Sequence, residues 1–376
     1  MTDRHMRAAR LTGVRRIQCT EIPVPEPGPD EMLVRVLATG VCGSDLAAYR
    51  GTHPYKRAPV VLGHELSAVV ERLGSRVAGF APGDMVCAAA FSHCGSCVHC
   101  RAGAVNLCGD KRSISHLDWS GSFAERAVLH QNMAYRLPAR LDPFLGALVE
   151  PLSIGLHAMR LAGAARRRSV AVLGGGTIGL ACVIAARVLG FGRTVCVDRG
   201  SVKGELALKA GADAFVDAGT AEPAAAALRE LGGPAELVVV AAGYPGVVEQ
   251  AQRLVAAGGS ILVVSYFDTP VPVDLNALVG REVAVLGSAL STAGDFAEVI
   301  DWLDRGLVAP GFLISHSFAL DEVSAAMELM DTQGTRTGKI MIRADTVDTA
   351  DADTTERTEH TDLTDLTHLT DLEARR

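Results

Sequence analysis

Two rhythms of apolar and polar positions divide this chain. From Met32 to about Ile154 it runs in short β-type stretches, "MLVRVLATGVC", "SAVVERLG", "DMVCAA" and "FAERAVL", punctuated by Gly and Pro. That pattern predicts an antiparallel, barrel-like domain. After Arg168 the stretches become almost wholly apolar: "SVAVLGG", "TVCVD", "AELVVVAA", "SILVVS" and "VAVLGSA". Strands buried on both faces require this composition. Between the first four lie Ala/Leu-rich segments of helical character, "TIGLACVIAARVLG", "KGELALKAG", "AAAALRELGG" and "GVVEQAQRLVAAGG". Alternation of strand and helix with Gly ends predicts right-handed βαβ units on a parallel sheet. Two further helices, around "DFAEVIDWLDRG" and "DEVSAAMELMDT", and a last strand, "GKIMIRA", follow from about Thr292 to Ala344. The fold class expected is α/β, a parallel-sheet domain joined to a β-rich one.

With 376 residues the chain exceeds one ordinary core, which agrees with two domains. Its formal charge of −7 is matched by the segment after Ala344 alone, where ten acidic residues face three basic ones. The body is therefore near neutral and offers no nucleic-acid-binding surface. The same segment, residues 344–376, is Thr/Asp-rich with a three-residue "TDL" beat that fits neither helix nor strand, and is expected to be a disordered acidic tail. Near the start, "MTDRHMRAARLTG" has positive charge but no apolar run behind it, unlike a signal peptide. The stretch "VAVLGGGTIGLACVIAA" is short for a membrane span and is interrupted by three glycines, which suits a strand, a turn and a helix. A cytoplasmic protein without membrane contact is expected.

Three sets of residues carry chemistry. The first is Cys94-x2-Cys97-x2-Cys100-x7-Cys108. In a reducing compartment, clustered thiols are more readily metal ligands than disulfides. Four thiolates close a tetrahedral zinc to water, so this site is structural. His93 and His99 interleave the cysteines and exceed the ligands needed. The second set is dispersed: Cys42 in "GVCGSD", His64 and Glu65 in "GHE", and Glu150 in "VEPLSIGLHA". One sulfur, one nitrogen and up to two carboxylates make the mixed, open kind of site that a catalytic zinc uses to polarise an alcohol. Ser44 is placed to accept the hydroxyl proton. The third is "VLGGGTIG", where Gly174, Gly176 and Gly179 match G-x-G-x-x-G between an apolar strand and a helix that opens with Thr177 and Ile178. That turn brings backbone against a pyrophosphate at a helix N-terminus. Asp198 ends the next strand, nineteen residues past Gly179, where a carboxylate accepts the adenosine ribose hydroxyls and favours NAD over NADP. Arg199 beside it works against that preference.

With these motifs in this order, the chain resembles the zinc-dependent medium-chain dehydrogenases from roughly Ala8 to Ala344. "EPLSIGLHA" looks most like the sorbitol (polyol) and threonine dehydrogenase branch. The resemblance implies a GroES-like catalytic domain over residues 1–151, completed by 290–343, and a Rossmann domain over 152–289, with the active site in the cleft between them. It implies two zincs per chain, Cys42, His64 and Glu65 as ligands of the catalytic one, and Glu150 binding it directly or through water. It also places Lys203 near the adenosine ribose and implies a homodimer or homotetramer that pairs Rossmann edges, with "REVAVLGSA" as the candidate edge. There is one departure: Ala47 stands where many members carry a relay histidine, so that Tyr49, His53 or water must take over. Trp119 borders the segment that in relatives lines the substrate cleft, though core packing suits it equally. His157 reads as a buried core histidine.

The function expected is NAD(H)-dependent interconversion of a secondary alcohol and a ketone, on a polyol, sugar or cyclitol. An amino-alcohol dehydrogenase is the alternative within the class. A non-catalytic dinucleotide sensor or scaffold is the alternative outside it, disfavoured because a sensor has no need of the Cys42, His64, Glu65 and Glu150 set.

Overall fold

In a computed structural model, residues 5–116, 119–163, 169–220 and 222–344 are described; the acidic segment read as a tail lies outside them. Two sheets dominate. The parallel one contains Ala214–Asp217, Arg193–Asp198, Ser169–Leu173, Ala235–Val240, Val255–Val263 and Ala284–Gly287, side by side in that order. Numbered by appearance the order is 3-2-1-4-5-6, the dinucleotide-binding arrangement, whose switch point lies between Ser169–Leu173 and Ala235–Val240. The apolar stretches are its central strands: Val170, Ala171, Val172 and Leu173 are all fully buried.

The other sheet has seven strands. Its spine is Met85–Ala88, Glu65–Leu73, Glu31–Gly40 and Lys339–Arg343, antiparallel neighbour to neighbour. A three-stranded sheet of Arg16–Pro23, His5–Gly13 and Val60–Val61 closes over it. Helix Val149–Leu161 joins the two halves by crossing helix Thr177–Val188 at very short range. A Cβ on Gly155 would lie 2.5 Å from the Ala181 carbonyl carbon. One continuous apolar core, from Val34 and Val36 through Leu152 and Leu156 to Val170 and Leu180, therefore runs through both sheets.

The structure differs from the sequence reading in several places, beginning with the strands His5–Gly13 and Arg16–Pro23, which precede the first stretch read as β-type. Ile314–Ala319 is a strand, parallel to Lys339–Arg343. It escapes a hydrophobic pattern because Ser315, His316 and Ser317 are exposed. Ala214–Asp217 is a strand of four residues, too short for periodicity to register. Helix Val247–Leu254 ends before "VAAGG", because Val255 already begins the neighbouring strand.

Candidate active site

Strand register assembles the mixed-ligand site. Gly40, at the end of its strand, pairs with Glu65, at the start of the next, so Cys42 and His64 emerge at the same edge. Cys42 is half-buried, while His64 and Glu65 are buried; their donor atoms lie within 4.8 Å of one another. Glu150 is not among the donors that meet there. It is buried close by at the head of its helix. Burial first, and the neighbouring Glu65 charge, lift its pKa to about 7 against the pull of His64, Lys339 and Lys56.

Asp45 ties the site together from beneath. Its Oδ2 accepts the Cys42 backbone N–H at 3.1 Å, and its Oδ1 accepts that of Gly63 at 3.4 Å. Oδ1 also faces His64 Nδ1 at 3.5 Å and the Lys56 ammonium at 3.3 Å. Burial opposes ionisation of this carboxyl, but Lys56 and His64 hold its pKa far below the usual range. A neutral His64 with its proton on Nδ1 donates to Asp45 and leaves Nε2 free for a metal. Burial and Lys56 push the His64 pKa down, yet Asp45 and Cys42 raise it well above the ordinary value.

Lys339 reaches the same spot from the far end of the chain. Its ammonium donates to the Val41 carbonyl at 2.9 Å and pairs with Glu65 Oε2. A Cβ on Gly40 would sit 2.1 Å from Glu65 Oε2 and 2.6 Å from Lys339 Cε, so only glycine leaves room for this pair. Sequence reasoning assigned no role to Asp45, Lys56 or Lys339. Lys56 is buried beside the exposed Arg57, and nothing in "YKRAP" distinguishes the two. Lys339 had a weak signal, a lysine opening a strand whose next three residues are all buried.

The four-cysteine loop is equally definite. Cys94, Cys97, Cys100 and Cys108 place their sulfurs within 4.8 Å of one another. Cys94 and Cys100 are 3.9 Å apart and Cys94 and Cys108 3.6 Å, far from a bonded disulfide. A tetrahedron with zinc–sulfur bonds of about 2.3 Å has edges of about 3.8 Å, so the set fits zinc. Backbone N–H groups of Cys97 and Cys100 point at the sulfurs of Cys94 and Cys97, each at 3.4 Å. Hydrogen bonds from the Ser96 and Cys97 backbone bring the Cys94 thiol down to about 6. His93 lies beside Cys100, at 3.7 Å.

In the parallel sheet, Gly174 leads into helix Thr177–Val188, whose N-cap is Gly176 and whose first residues are Thr177 and Ile178. Gly179 packs so tightly that a Cβ would lie 1.8 Å from the Gly174 carbonyl oxygen. Asp198 accepts the Gly175 N–H and the Arg199 N–H, each at 2.6 Å, which fixes the glycine turn. Lys203 is buried and donates to the Thr337 carbonyl at 2.5 Å. Trp119 packs in the core, its Nε1 donating to Val128 O at 2.8 Å. Tyr49 is likewise a core residue. His157 bonds Asp295 at 2.9 Å and Asn106 at 3.2 Å.

Comparison with known proteins agrees with this geometry. Residues 28–139 match the alcohol dehydrogenase GroES-like domain, and residues 177–305 match the zinc-binding dehydrogenase domain. D-xylulose reductase A of Aspergillus niger is 31% identical over 333 residues, covering 85% of this chain and 91% of that protein. The chain belongs to the zinc-dependent medium-chain dehydrogenases. Among solved dehydrogenases of this kind, a zinc-binding dehydrogenase of Sinorhizobium meliloti bound to NADP is 34% identical with a TM-score of 0.81, over 90% of this chain and 99% of that one. The rspB alcohol dehydrogenase of Escherichia coli CFT073, complexed with NADH, is 28% identical with a TM-score of 0.83, over 90% and 99% respectively. This dehydrogenase is an oxidoreductase built for zinc and a nicotinamide dinucleotide, and no helix among its described residues is long and apolar enough to cross a membrane.

Proposed function

We propose that this dehydrogenase interconverts a secondary alcohol of the polyol, sugar or cyclitol class and its ketone, using NAD(H). The observation that carries the proposal is the convergence of Cys42, His64 and Glu65 within 4.8 Å, an open mixed-donor set that fits zinc. Zinc there would supply a Lewis acid for the substrate oxygen, and NAD the hydride acceptor. The chain's own part begins with Asp45, which orients His64 and the Cys42 backbone. Lys339 holds Glu65, and Ser44, half-buried two residues past Cys42, accepts the substrate hydroxyl proton while passing its own to solvent water. Glu150 waits outside the triplet as an exchangeable carboxylate.

Cys94, Cys97, Cys100 and Cys108 would hold a structural zinc that staples their loop. The glycines of the Gly174–Gly179 turn would admit the pyrophosphate. Asp198 favours NAD by opposing a 2′-phosphate, and its hydrogen bonds to the turn keep that carboxylate in place. Arg199, exposed beside it, is the residue that would admit NADP. The D-xylulose reductase relative acts in the polyol class by its name, which favours that substrate class here. The edge strand Ala284–Gly287, with Val285 about half exposed and Val279 78% exposed nearby, is the surface for pairing two copies. Nine free thiols suit a reducing, cytoplasmic setting.

The test is nicotinamide reduction against polyols, sugars, cyclitols, amino alcohols and simple secondary alcohols, with NAD⁺ and NADP⁺ in parallel and metal content measured. Turnover with a polyol-type substrate, two zincs per chain and loss in Cys42→Ala support the reading. Turnover confined to amino alcohols moves the enzyme to the threonine-like class. One zinc and no turnover leave a dinucleotide-binding scaffold.

A further inference from the structure

The departure at Ala47 leaves Ser44 without the histidine that the family resemblance expects behind it. Ala47 is half-buried, and an alanine side chain has no group that can relay a proton. The group that Ser44 meets is Lys56. It arrives from the segment between helix Gly43–Arg50 and strand Val60–Val61, and is 6% exposed. Its ammonium lies 3.1 Å from Ser44 Oγ, 3.3 Å from Asp45 Oδ1 and 3.4 Å from His64 Nδ1. The backbone N–H of Lys56 donates to His53 Nδ1 at 3.1 Å, which pins the segment from which the side chain reaches inward.

We propose that Lys56 is the positioning residue for Ser44, holding its hydroxyl in the orientation the reaction needs. The inference rests on the proposed alcohol–ketone function. A hydroxyl has one proton and two acceptor lone pairs, and rotates freely unless a partner fixes it. An ammonium can only donate, so Lys56 occupies one lone pair of Ser44 and turns the O–H away from itself. The other lone pair and the O–H stay available on a residue that is only half-buried, two positions from Cys42. Asp45 neutralises the ammonium and, by binding the Cys42 and Gly63 backbones, fixes it relative to both ligand loops. The placement of Ser44 is thereby preset before substrate arrives, which is what keeps the cost of orientation out of the reaction step.

The decisive experiment is a double-mutant cycle on the full chain with Ser44→Ala, Lys56→Met and the pair, plus Lys56→Arg. Alcohol oxidation, zinc content and NADH binding by fluorescence are measured for each. The expected result is a loss of about 10- to 100-fold in kcat for Lys56→Met, the size of a hydrogen bond from a charged donor. KM should change little, two zincs per chain should remain, and NADH binding should be unaltered. Lys56→Arg should recover most of the rate. In the Ser44→Ala background, Lys56→Met should add almost nothing, because the residue acts through a hydroxyl that is gone. Full activity in Lys56→Met overturns the proposal. So does an additive effect of the two substitutions, or loss of one zinc, which would make Lys56 a support for His64 alone. A wild-type protein that binds two zincs and NADH yet oxidises no alcohol overturns the functional reading, and the proposal with it.

Discussion

Replacing Lys339 by methionine keeps most of the side-chain volume and removes the ammonium that faces Glu65. The two charged groups are almost wholly buried, with side-chain exposures of 2% and 1%. Methionine therefore leaves a carboxylate in an apolar wall, and breaking such a pair costs about 3–5 kcal/mol. The lost bond to the Val41 carbonyl, 2.9 Å long, adds about 1 kcal/mol. A divalent cation held by Cys42, His64 and Glu65 would compensate part of the unpaired, buried negative charge. The substitution should therefore hurt the metal-free protein more than the zinc-loaded one. Linkage then requires zinc to stabilise Lys339→Met more than it stabilises the wild type, by the same difference. Urea denaturation of the wild type, Lys339→Met and Lys339→Arg, each zinc-loaded and chelator-stripped, measures all four corners. The cysteine-loop zinc is stripped from every protein alike and cancels. The expected outcome is a loss of about 4–6 kcal/mol when stripped, a clearly smaller loss when loaded, and near wild-type behaviour for arginine. Equal losses with and without zinc would refute the reasoning, since Lys339 would then be a packing residue with no electrostatic tie to the metal ligand.

Asp295 offers a prediction in pH. Burial opposes its ionisation, but His157, Thr292 and Arg160 bring its pKa down to about 2. The stability it contributes, about 2 kcal/mol, is present above the unfolded value of about 3.9 and is lost as pH falls through 4 toward 2. Asp295→Asn should thus be destabilised at pH 7 and lose its deficit in acid, as read by denaturation midpoints across that range. Cys94→Ser should release one of two zincs and open its loop to trypsin at the exposed Arg101, detectable by limited digestion. Asp198→Ala should shift the cofactor preference toward NADP by about tenfold or more in kcat/KM, since it removes the charge that opposes a 2′-phosphate. Val285→Arg, on the exposed edge strand, should reduce the mass seen by light scattering to that of one chain without altering zinc content.

Where ligands lie close in sequence, the chemistry was readable without coordinates. The four cysteines fall within one loop, and their spacing already implied a closed tetrahedral site. Gly174, Gly176 and Gly179 form one turn, and Asp198 ends the next strand, so strand–helix periodicity placed them as well. Cys42 and the His64–Glu65 pair could be read as chemically compatible, but only the pairing of Gly40 with Glu65 brings them to one edge. The buried charges lay beyond the sequence. Lys56 looks like any loop lysine until its segment folds over Asp45, and Lys339 meets Val41 across 298 residues of chain. Periodicity reports which face of an element is apolar, whereas an ion pair between two distant strands depends on register and on a missing side chain such as that of Gly40. Fold class, zinc chemistry and dinucleotide turn are local patterns repeated along the chain. The charge balance around Glu65 arises only when strands far apart in sequence are laid side by side, and the hold on Ser44 only when the Lys56 loop folds back onto its helix.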